Sequence, residues 1–178
     1  MPTTRKEKAF TLIELLVVIS IIAILSVIGI VAYSTFLKNS RDQRRQSDLK
    51  LLQSALEDYH ADSLFYPTAG GMNGILPSGG TFSNTTGLGS APTPAPTPLP
   101  KTYLNAVPKD PLTSNSPYYY IGSTTTSVSS SSTCDNSSSG ICLSFCLYAK
   151  MEGSTTPTSD ANCASPFPSP YNYAVSRP

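Results

Sequence analysis

The sequence predicts an α+β fold in which one long N-terminal α-helix packs against a small antiparallel β-sheet. Three observations lead to this prediction. An unbroken apolar run passes into an amphipathic run of helical period, the middle of the chain is rich in Gly, Pro, Ser and Thr, and the C-terminal third contains short alternating apolar and polar segments. We expect a polar leader, an apolar helix, its amphipathic continuation, a loop region and a disulfide-bonded sheet region, in that order: 1–9, 10–36, 37–66, 67–117 and 118–178.

Composition and charge argue against several classes of protein. The formal net charge is +1 and charged residues make up 13% of the chain, so no global field indicates a nucleic-acid partner. We find no paired-carboxylate cleft, Gly-rich phosphate loop or Ser/His/Asp arrangement, and His60, the single histidine, is expected to be a solvated residue near the end of the helix. The chain is therefore not expected to be an enzyme.

The segment 10–36 is apolar throughout except for Glu14. As a helix it is long enough to cross a bilayer, which takes about 20 apolar residues. We therefore predict a transmembrane helix that holds the precursor in the cytoplasmic membrane, with the basic leader on the cytoplasmic side. No small-residue cleavage site follows the run, so the segment is expected to be retained.

Glu14 is the informative residue of this segment, because a carboxylate inside an apolar run is costly and usually has a functional partner. The surrounding residues AFTLIE, at 9–14, resemble the processing site of type IV prepilins. The resemblance implies that prepilin peptidase cuts between Ala9 and Phe10 and methylates the new amine of Phe10. It also implies that Glu14 pairs with the Phe10 amine of a neighbouring subunit, in a homopolymer built by a pilus or secretion assembly machinery.

Two positions depart from the family pattern. Ala9 replaces the usual Gly before the cut and is similarly small, whereas Val31 stands where many relatives have Pro. Helix melting at that point, which the family would imply, then depends on Gly29, which softens a helix only weakly. The resemblance otherwise implies a ladle-shaped pilin fold.

Beyond Phe36 the apolar positions follow a single helical stripe. Its members are Leu49, Leu52, Ala55, Leu56 and Tyr59. We predict one helix from Phe10 to Asp62, closed by Pro67. The end of this helix, over 47–68, resembles that of the major pseudopilins of type II secretion.

The basic run 38–50 allows two interpretations. It is either a solvated juxtamembrane face or a nucleic-acid patch, and the interleaved Asp42 and Asp48 favour the solvated face.

The remainder of the chain is interpreted as loops and short strands. Pro and Thr alternate over 91–100, which predicts an extended spacer or a glycosylated segment, and the Ser/Thr-rich stretch 123–139 predicts a mobile loop or glycan carrier. The Pro108–Pro111 region resembles the segment that leads pseudopilins into their sheet. Three strands are predicted, at 118–121, 141–151 and 171–175, and the second is expected to be half-buried, with Ile141 and Leu143 on its apolar face.

The four cysteines, Cys134, Cys142, Cys146 and Cys163, predict two disulfides. Cys142 and Cys146 would share one face of a strand about 13 Å apart, too far to bridge each other. This leaves Cys134–Cys142 with Cys146–Cys163, or Cys134–Cys146 with Cys142–Cys163. The first is preferred because Cys134 and Cys142 close a short Ser/Gly turn. The spacing is not that of a zinc site.

No cofactor is expected. The resemblance to major pseudopilins implies a calcium loop, but the acidic residues do not match its pattern, so no ligand is assigned: Asp110, Asp135, Glu152 and Asp160.

Four functional interpretations follow. The first is a structural subunit of an extracellular type IV pilus-like filament. The others are a pseudopilin of a type II secretion or competence apparatus whose fibre spans the periplasm, a minor pilin that binds DNA or surfaces, and a plain single-pass membrane protein.

Overall fold

The computed structural model describes residues 10–68, 76, 79–83, 101–112, 117–125, 128, 134–136, 140–153, 158–159, 162–163 and 167–177. The predicted leader 1–9 and spacer 91–100 lie outside these residues. The chain divides into two compact units, Met1–Asn39 and Ser40–Pro178, and we call the second unit the head. Helix α1 covers Leu12–Ser63, 52 residues, which agrees with the predicted helix to within two residues at either end.

In the first unit, α1 presents large apolar side chains to solvent on every side. Their exposed fractions run from 48% at Val17 and Val18 to 85% at Phe10. In the described part of the chain, no helix meets the length and hydropathy required of a membrane span. The span over 10–36 therefore stays a prediction.

The C-terminus of α1 is closed by a residue in the left-handed conformation. Leu64 has φ +64°, and its N–H donates to the carbonyl of His60 at 2.8 Å. This bond satisfies one of the carbonyls that a helix end leaves without an intrahelical partner. The helix thus ends before Pro67.

The strands form two sheets. Their bounds are β1 Phe82–Ser83, β2 Thr102–Leu104, β3 Tyr119–Ser123, β4 Ser144–Ala149, β5 Thr158–Ser159 and β6 Tyr173–Ser176. β1 pairs with β2, and the larger sheet has the order β3-β4-β6-β5. All pairs are antiparallel except β5 with β6. The predicted α+β class with a small antiparallel sheet is confirmed, and the two-residue β5 is a parallel addition at its edge.

The core of the head lies between the C-terminal part of α1 and the sheet. The predicted stripe is buried: Leu49, Leu52, Leu56 and Tyr59 are 0% exposed, and they cluster with Phe145 and Leu147 of β4. Burying a side chain of this size contributes about 1.5–3 kcal/mol. The helical stripe therefore holds the sheet in place.

The prediction for β4 was wrong in two respects. The strand begins at Ser144 rather than at 141, so Ile141 and Leu143 precede it and are 44% and 48% exposed. All six residues of β4 are buried, because β4 is an inner strand with α1 on one face and a second apolar cluster, including Tyr148 and Ala174, on the other.

Cys142 and Cys146 consequently do not share a face. Cys142 belongs to the helix-side cluster and Cys146 to the second cluster. Side chains alternate between the two faces only within β4, and Cys142 precedes the first residue of that strand.

The prediction that 123–139 is a mobile loop or glycan carrier outside the core was also wrong at three of the positions that the structure describes. Ser123, Val128 and Asn136 are buried. Val128 forms a bridge with Cys163, so part of this polar stretch packs against the sheet region.

Candidate assembly site

The first turn of α1 is built around Thr11 and Glu14. The Thr11 hydroxyl accepts the N–H of Glu14 at 3.3 Å, and the Glu14 carboxylate accepts the N–H of Thr11 at 2.9 Å and its hydroxyl at 2.7 Å. These reciprocal bonds form a capping box, in which residues three positions apart satisfy the first donors of a helix. The sequence T-x-x-E produces this geometry locally, without help from the rest of the chain.

Both of these carboxylate bonds use the same oxygen. Oε2 of Glu14 accepts the N–H and the hydroxyl of Thr11, while Oε1 has no hydrogen-bond partner within the described residues. An ionised carboxylate has about four acceptor positions. Glu14 is therefore held in one conformation and still has an oxygen available for a cation outside its own chain.

The surroundings of this carboxylate are apolar. Glu14 lines a shallow depression together with Phe10, Ile13, Val17 and Val18. A single acidic side chain thus lies among exposed apolar side chains at the beginning of the helix, where the helix dipole also favours a negative charge.

One of the comparisons with known proteins covers the stretch that contains this turn. Residues 4–30 match the model of the prokaryotic N-terminal methylation motif. No curated protein and no solved structure matches the chain. The chain thus carries the hallmark of type IV pilin and pseudopilin precursors, a structural rather than an enzymatic class. The motif implies processing by prepilin peptidase and entry into a pilus-type assembly machinery.

A second polar arrangement lies inside the head and is centred on Arg45, which is 0% exposed. Its Nε donates to Asp110 at 2.7 Å and its Nη2 to the other Asp110 oxygen at 3.1 Å. Its Nη1 lies 2.6 Å from Asp42 and 2.8 Å from Glu152. One buried cation is therefore shared by three carboxylates from three parts of the chain.

Arg41 and backbone donors complete this arrangement, which we call the arginine clasp: Arg41, Asp42, Arg45, Asp110 and Glu152. Arg41 binds Glu152 through Nε at 2.7 Å and Nη2 at 2.5 Å. Asp42 accepts the N–H groups of Glu152 and Gly153 at 2.9 and 2.8 Å. Such secondary bonds are what allow a buried ion pair to offset its desolvation.

The clasp shifts the pKa values of Glu152 and Arg45. The hydrogen bond from Arg41, reinforced by Arg45, lowers the pKa of Glu152 to about 2. Burial alone would lower the pKa of Arg45, but its bonds to Asp110, Glu152 and Asp42 outweigh burial and raise it. Glu152 and Arg45 are therefore both charged at neutral pH.

The clasp was not among the predicted sites. The prediction that the basic run 38–50 is a solvated face was wrong at two positions, since Arg45 is buried and Arg41 is paired. The sequence does indicate that Arg45 is buried, since Arg45 lies four residues before Leu49, on the stripe that continues through Leu52 and Leu56. A charged residue on a core stripe needs buried partners of opposite charge.

The disulfides join Cys134 to Cys142 and Cys146 to Cys163, which is the preferred one of the two pairings that the sequence left open. A Cβ at Gly122 would lie 2.7 Å from the Cys134 sulfur, so this sulfur packs directly against the backbone of β3.

The loop of the first disulfide is also bonded to the exit of α1. Asn136 donates to the carbonyl of Tyr66 at 2.9 Å and accepts the N–H of Cys142 at 2.8 Å. Tyr66 in turn donates its N–H to the carbonyl of Cys142 at 2.9 Å. The loop therefore fixes the chain where it leaves the helix.

His60 was expected to be solvated, but it is half-buried and stacks on Tyr66 with the ring centroids 4.5 Å apart. In the described segments, no three His, Cys, Asp or Glu side chains are grouped so that they could hold a metal ion.

Proposed function

We propose that this chain is the structural subunit of an extracellular type IV pilus-like filament. The precursor is cleaved between Ala9 and Phe10, methylated on the Phe10 amine, and polymerised through its N-terminal helix. The observation that carries the proposal is Glu14, a single carboxylate held by Thr11 at the start of an exposed apolar helix, within a matched methylation motif.

The apolar half of α1 needs a partner. Large side chains are exposed on all its faces from Phe10 to Val27 and again at Tyr33 and Phe36, and exposed apolar surface of this extent is typical of membrane or protein contacts. In the precursor, the partner would be the cytoplasmic membrane. In the filament, it would be the same segment of other subunits.

Charge then selects the correct neighbour. Cleavage creates an amine on Phe10, and Glu14 has Oε1 available within the described chain. An amine and a carboxylate are each costly in apolar surroundings and compensate each other when they pair. Pairing between subunits thus favours the correct axial register over other apolar contacts.

The processing step is tested by mass spectrometry of sheared filaments. We expect an N-terminal peptide that begins at methylated Phe10. A different N-terminus, or an unmethylated one, would refute this step.

The pairing step is tested by three variants with different losses. Glu14→Gln keeps an acceptor for the Thr11 bonds but has no charge, Glu14→Ala loses both, and Thr11→Val loses the hydroxyl bonds but keeps the charge. If the charge is required, both Glu14 variants remain as membrane-held monomers while Thr11→Val still forms filaments. Abundant Glu14→Gln filaments would show that the carboxylate is needed only as a cap.

A pseudopilin of a type II secretion or competence apparatus is the second candidate. It is favoured by the Pro108–Pro111 segment, whose Asp110 binds Arg45 in the head. Electron microscopy of cells at native expression separates the two, because a surface pilus extends well beyond the cell and a periplasm-spanning fibre does not. A minor pilin that binds DNA or surfaces would be rare in purified fibres.

We further propose that the head needs no cofactor and performs no catalysis. Arg45 supplies the cation for Asp42, Asp110 and Glu152. A calcium requirement, which the resemblance to pseudopilins would suggest, predicts that a chelator lowers the melting temperature; we expect no change.

A further inference from the structure

The two ends of the head differ in charge. One end holds the arginine clasp, and the other holds the closing turn of α1 at Leu64. Among the described residues, the clasp end has six basic and four acidic side chains, whereas the other end has two basic and four acidic ones. The charged residues of that other end are Lys101 and Arg177 against Glu57, Asp58, Asp62 and Asp135. The head is therefore net positive at the clasp end and net negative at the other.

The acidic side chains of the clasp end all have partners within the head. Asp48 accepts the hydroxyl of Tyr118 at 2.6 Å. The other three bind the buried guanidinium of Arg45: Asp42, Asp110 and Glu152. Because these carboxylates are bound from inside the head, the exposed charge of this end is carried by basic side chains.

Exposed basic side chains surround the clasp. Of the six basic residues at this end, Arg41 and Arg45 bind carboxylates of the clasp, and the other four are exposed. Three of these four lie one or two positions from a member of the clasp, in three different parts of the chain, and we call them the basic collar: Arg44, Lys109 and Lys150. The fourth, Lys50, lies about 9 Å farther along α1 than Arg44.

The collar belongs to the end of the head that follows the predicted membrane span 10–36 along the chain. Arg44 comes eight residues after Phe36 in the same helix α1, a rise of about 12 Å. The headgroup layer extends about 5–8 Å beyond the hydrocarbon core of a bilayer, and exposed charges interact over about 8 Å at physiological ionic strength. The collar is therefore within electrostatic reach of the headgroups when the apolar segment lies in a bilayer. Between Glu14 and Asp42 the chain has no acidic residue that would weaken this attraction.

We propose that the basic collar docks the head on an anionic phospholipid surface, that of the membrane which holds the precursor. The partner is a lipid surface because the collar follows the apolar segment along α1 and has the charge opposite to that of acidic headgroups. The net negative charge at the other end of the head favours the same orientation, since an anionic surface repels it. The contact rests on the proposed function, in which the apolar segment lies in the cytoplasmic membrane before assembly.

Lysine reactivity tests this contact in the full-length precursor reconstituted into liposomes. One set of vesicles consists of phosphatidylcholine, and the other contains an equal amount of phosphatidylglycerol. Acetylation of each lysine is followed by mass spectrometry. We expect the reactivity of Lys109 and Lys150 to fall several-fold in the phosphatidylglycerol vesicles and to recover in about 1 M salt, where charges are screened within about 3 Å. Lys101, at the other end of the head, should react equally in both kinds of vesicle.

The outcomes separate this contact from the proposed function. If the precursor floats with both kinds of vesicle and Lys109 and Lys150 react equally in the two, the contact is overturned and the proposed function stands. Equally high reactivity would show that the head does not touch the surface, and equally low reactivity would show that a second copy covers the lysines instead. A precursor that floats with neither kind of vesicle would overturn the membrane-held precursor and the contact together.

A charge variant provides a second readout, with Lys109 as the reporter. Arg44→Gln/Lys150→Gln removes two cations, each of which strengthens binding to an anionic surface about fivefold. The ratio of docked to undocked heads should therefore fall about 25-fold, and the protection of Lys109 should be lost.

The matched control makes the same change in net charge farther along the helix. Ser54→Glu/Ala61→Glu alters two exposed positions of α1, the first of them about 27 Å beyond Phe36, so Lys109 should stay protected. Both variants should keep the wild-type melting temperature, because neither changes a member of the clasp. Protection of Lys109 that survives in Arg44→Gln/Lys150→Gln, or that is lost equally in the control, would refute the collar.

Discussion

Removing Arg45, the buried cation of the arginine clasp, should destabilise the head strongly. In Arg45→Met, the buried Asp110 loses its two bonds to the guanidinium, at 2.7 and 3.1 Å, and Glu152 keeps only Arg41 as a cation. Breaking a buried ion pair by removing one partner costs about 3–5 kcal/mol. With about 2 cal/mol/K of unfolding entropy per residue, this corresponds to a melting temperature lower by about 10–17 °C for a unit as long as the head.

The assay is thermal unfolding of the full-length protein with intact disulfides, followed by near-ultraviolet circular dichroism. The ten tyrosines supply the signal, since the chain has no Trp. Arg44→Met is the matched control, because Arg44 is exposed and a surface substitution usually changes stability by less than about 0.5 kcal/mol.

A rescue variant separates the lost ion pair from lost packing. Arg45→Met/Asp110→Leu removes both partners of the most buried pair, and replacing such a pair by apolar residues is often neutral. We therefore expect the double variant to recover most of the loss. Equal melting temperatures for Arg45→Met and Arg44→Met would show that the clasp does not stabilise the head, and a double variant that is less stable than Arg45→Met would refute the electrostatic reasoning.

Three further predictions concern the head. Arg41 and, to a smaller extent, Arg45 lower the pKa of Glu152 from 4.5 to about 2. The contribution of the ionised Glu152 to stability is therefore full above about pH 4.5 and is lost as the pH falls towards 2; acid unfolding of Glu152→Gln should lack this component. Gly122→Ala places a Cβ 2.7 Å from the Cys134 sulfur and should cost about 1–3 kcal/mol, whereas Gly29→Ala, with nothing within 4 Å, should leave the melting temperature of the head unchanged. Asn136→Ala leaves the carbonyl of Tyr66 and the N–H of Cys142 without these bonds, at about 1–3 kcal/mol, and hydrogen exchange should rise at Cys142; unchanged exchange there would contradict the role of Asn136.

The helix could be predicted because its signals are local. The stripe Leu49, Leu52, Leu56 and Tyr59 repeats with the period of a helix, and all four side chains are buried. The strand β4 could be predicted only in part, because alternation does not tell whether the second face of a strand is also covered. Ile141 and Leu143 are exposed because they precede the strand, although their apolar character continues its alternating pattern.

The candidate assembly site and the arginine clasp differ in the same way, because the first depends on local contacts and the second on contacts between distant parts of the chain. The sequence by itself determined the geometry of the candidate assembly site, because Thr11 and Glu14 are three residues apart and a helix start brings them together without any tertiary contact. Only the tertiary structure decided the arginine clasp, since Asp110 is 65 residues from Arg45 and Glu152 is 111 residues from Arg41. The pattern along the chain shows that Arg45 lies on the core stripe and that Asp42 is near it on the same helix, but Asp110 and Glu152 reach Arg45 only because the folded chain brings distant segments to it.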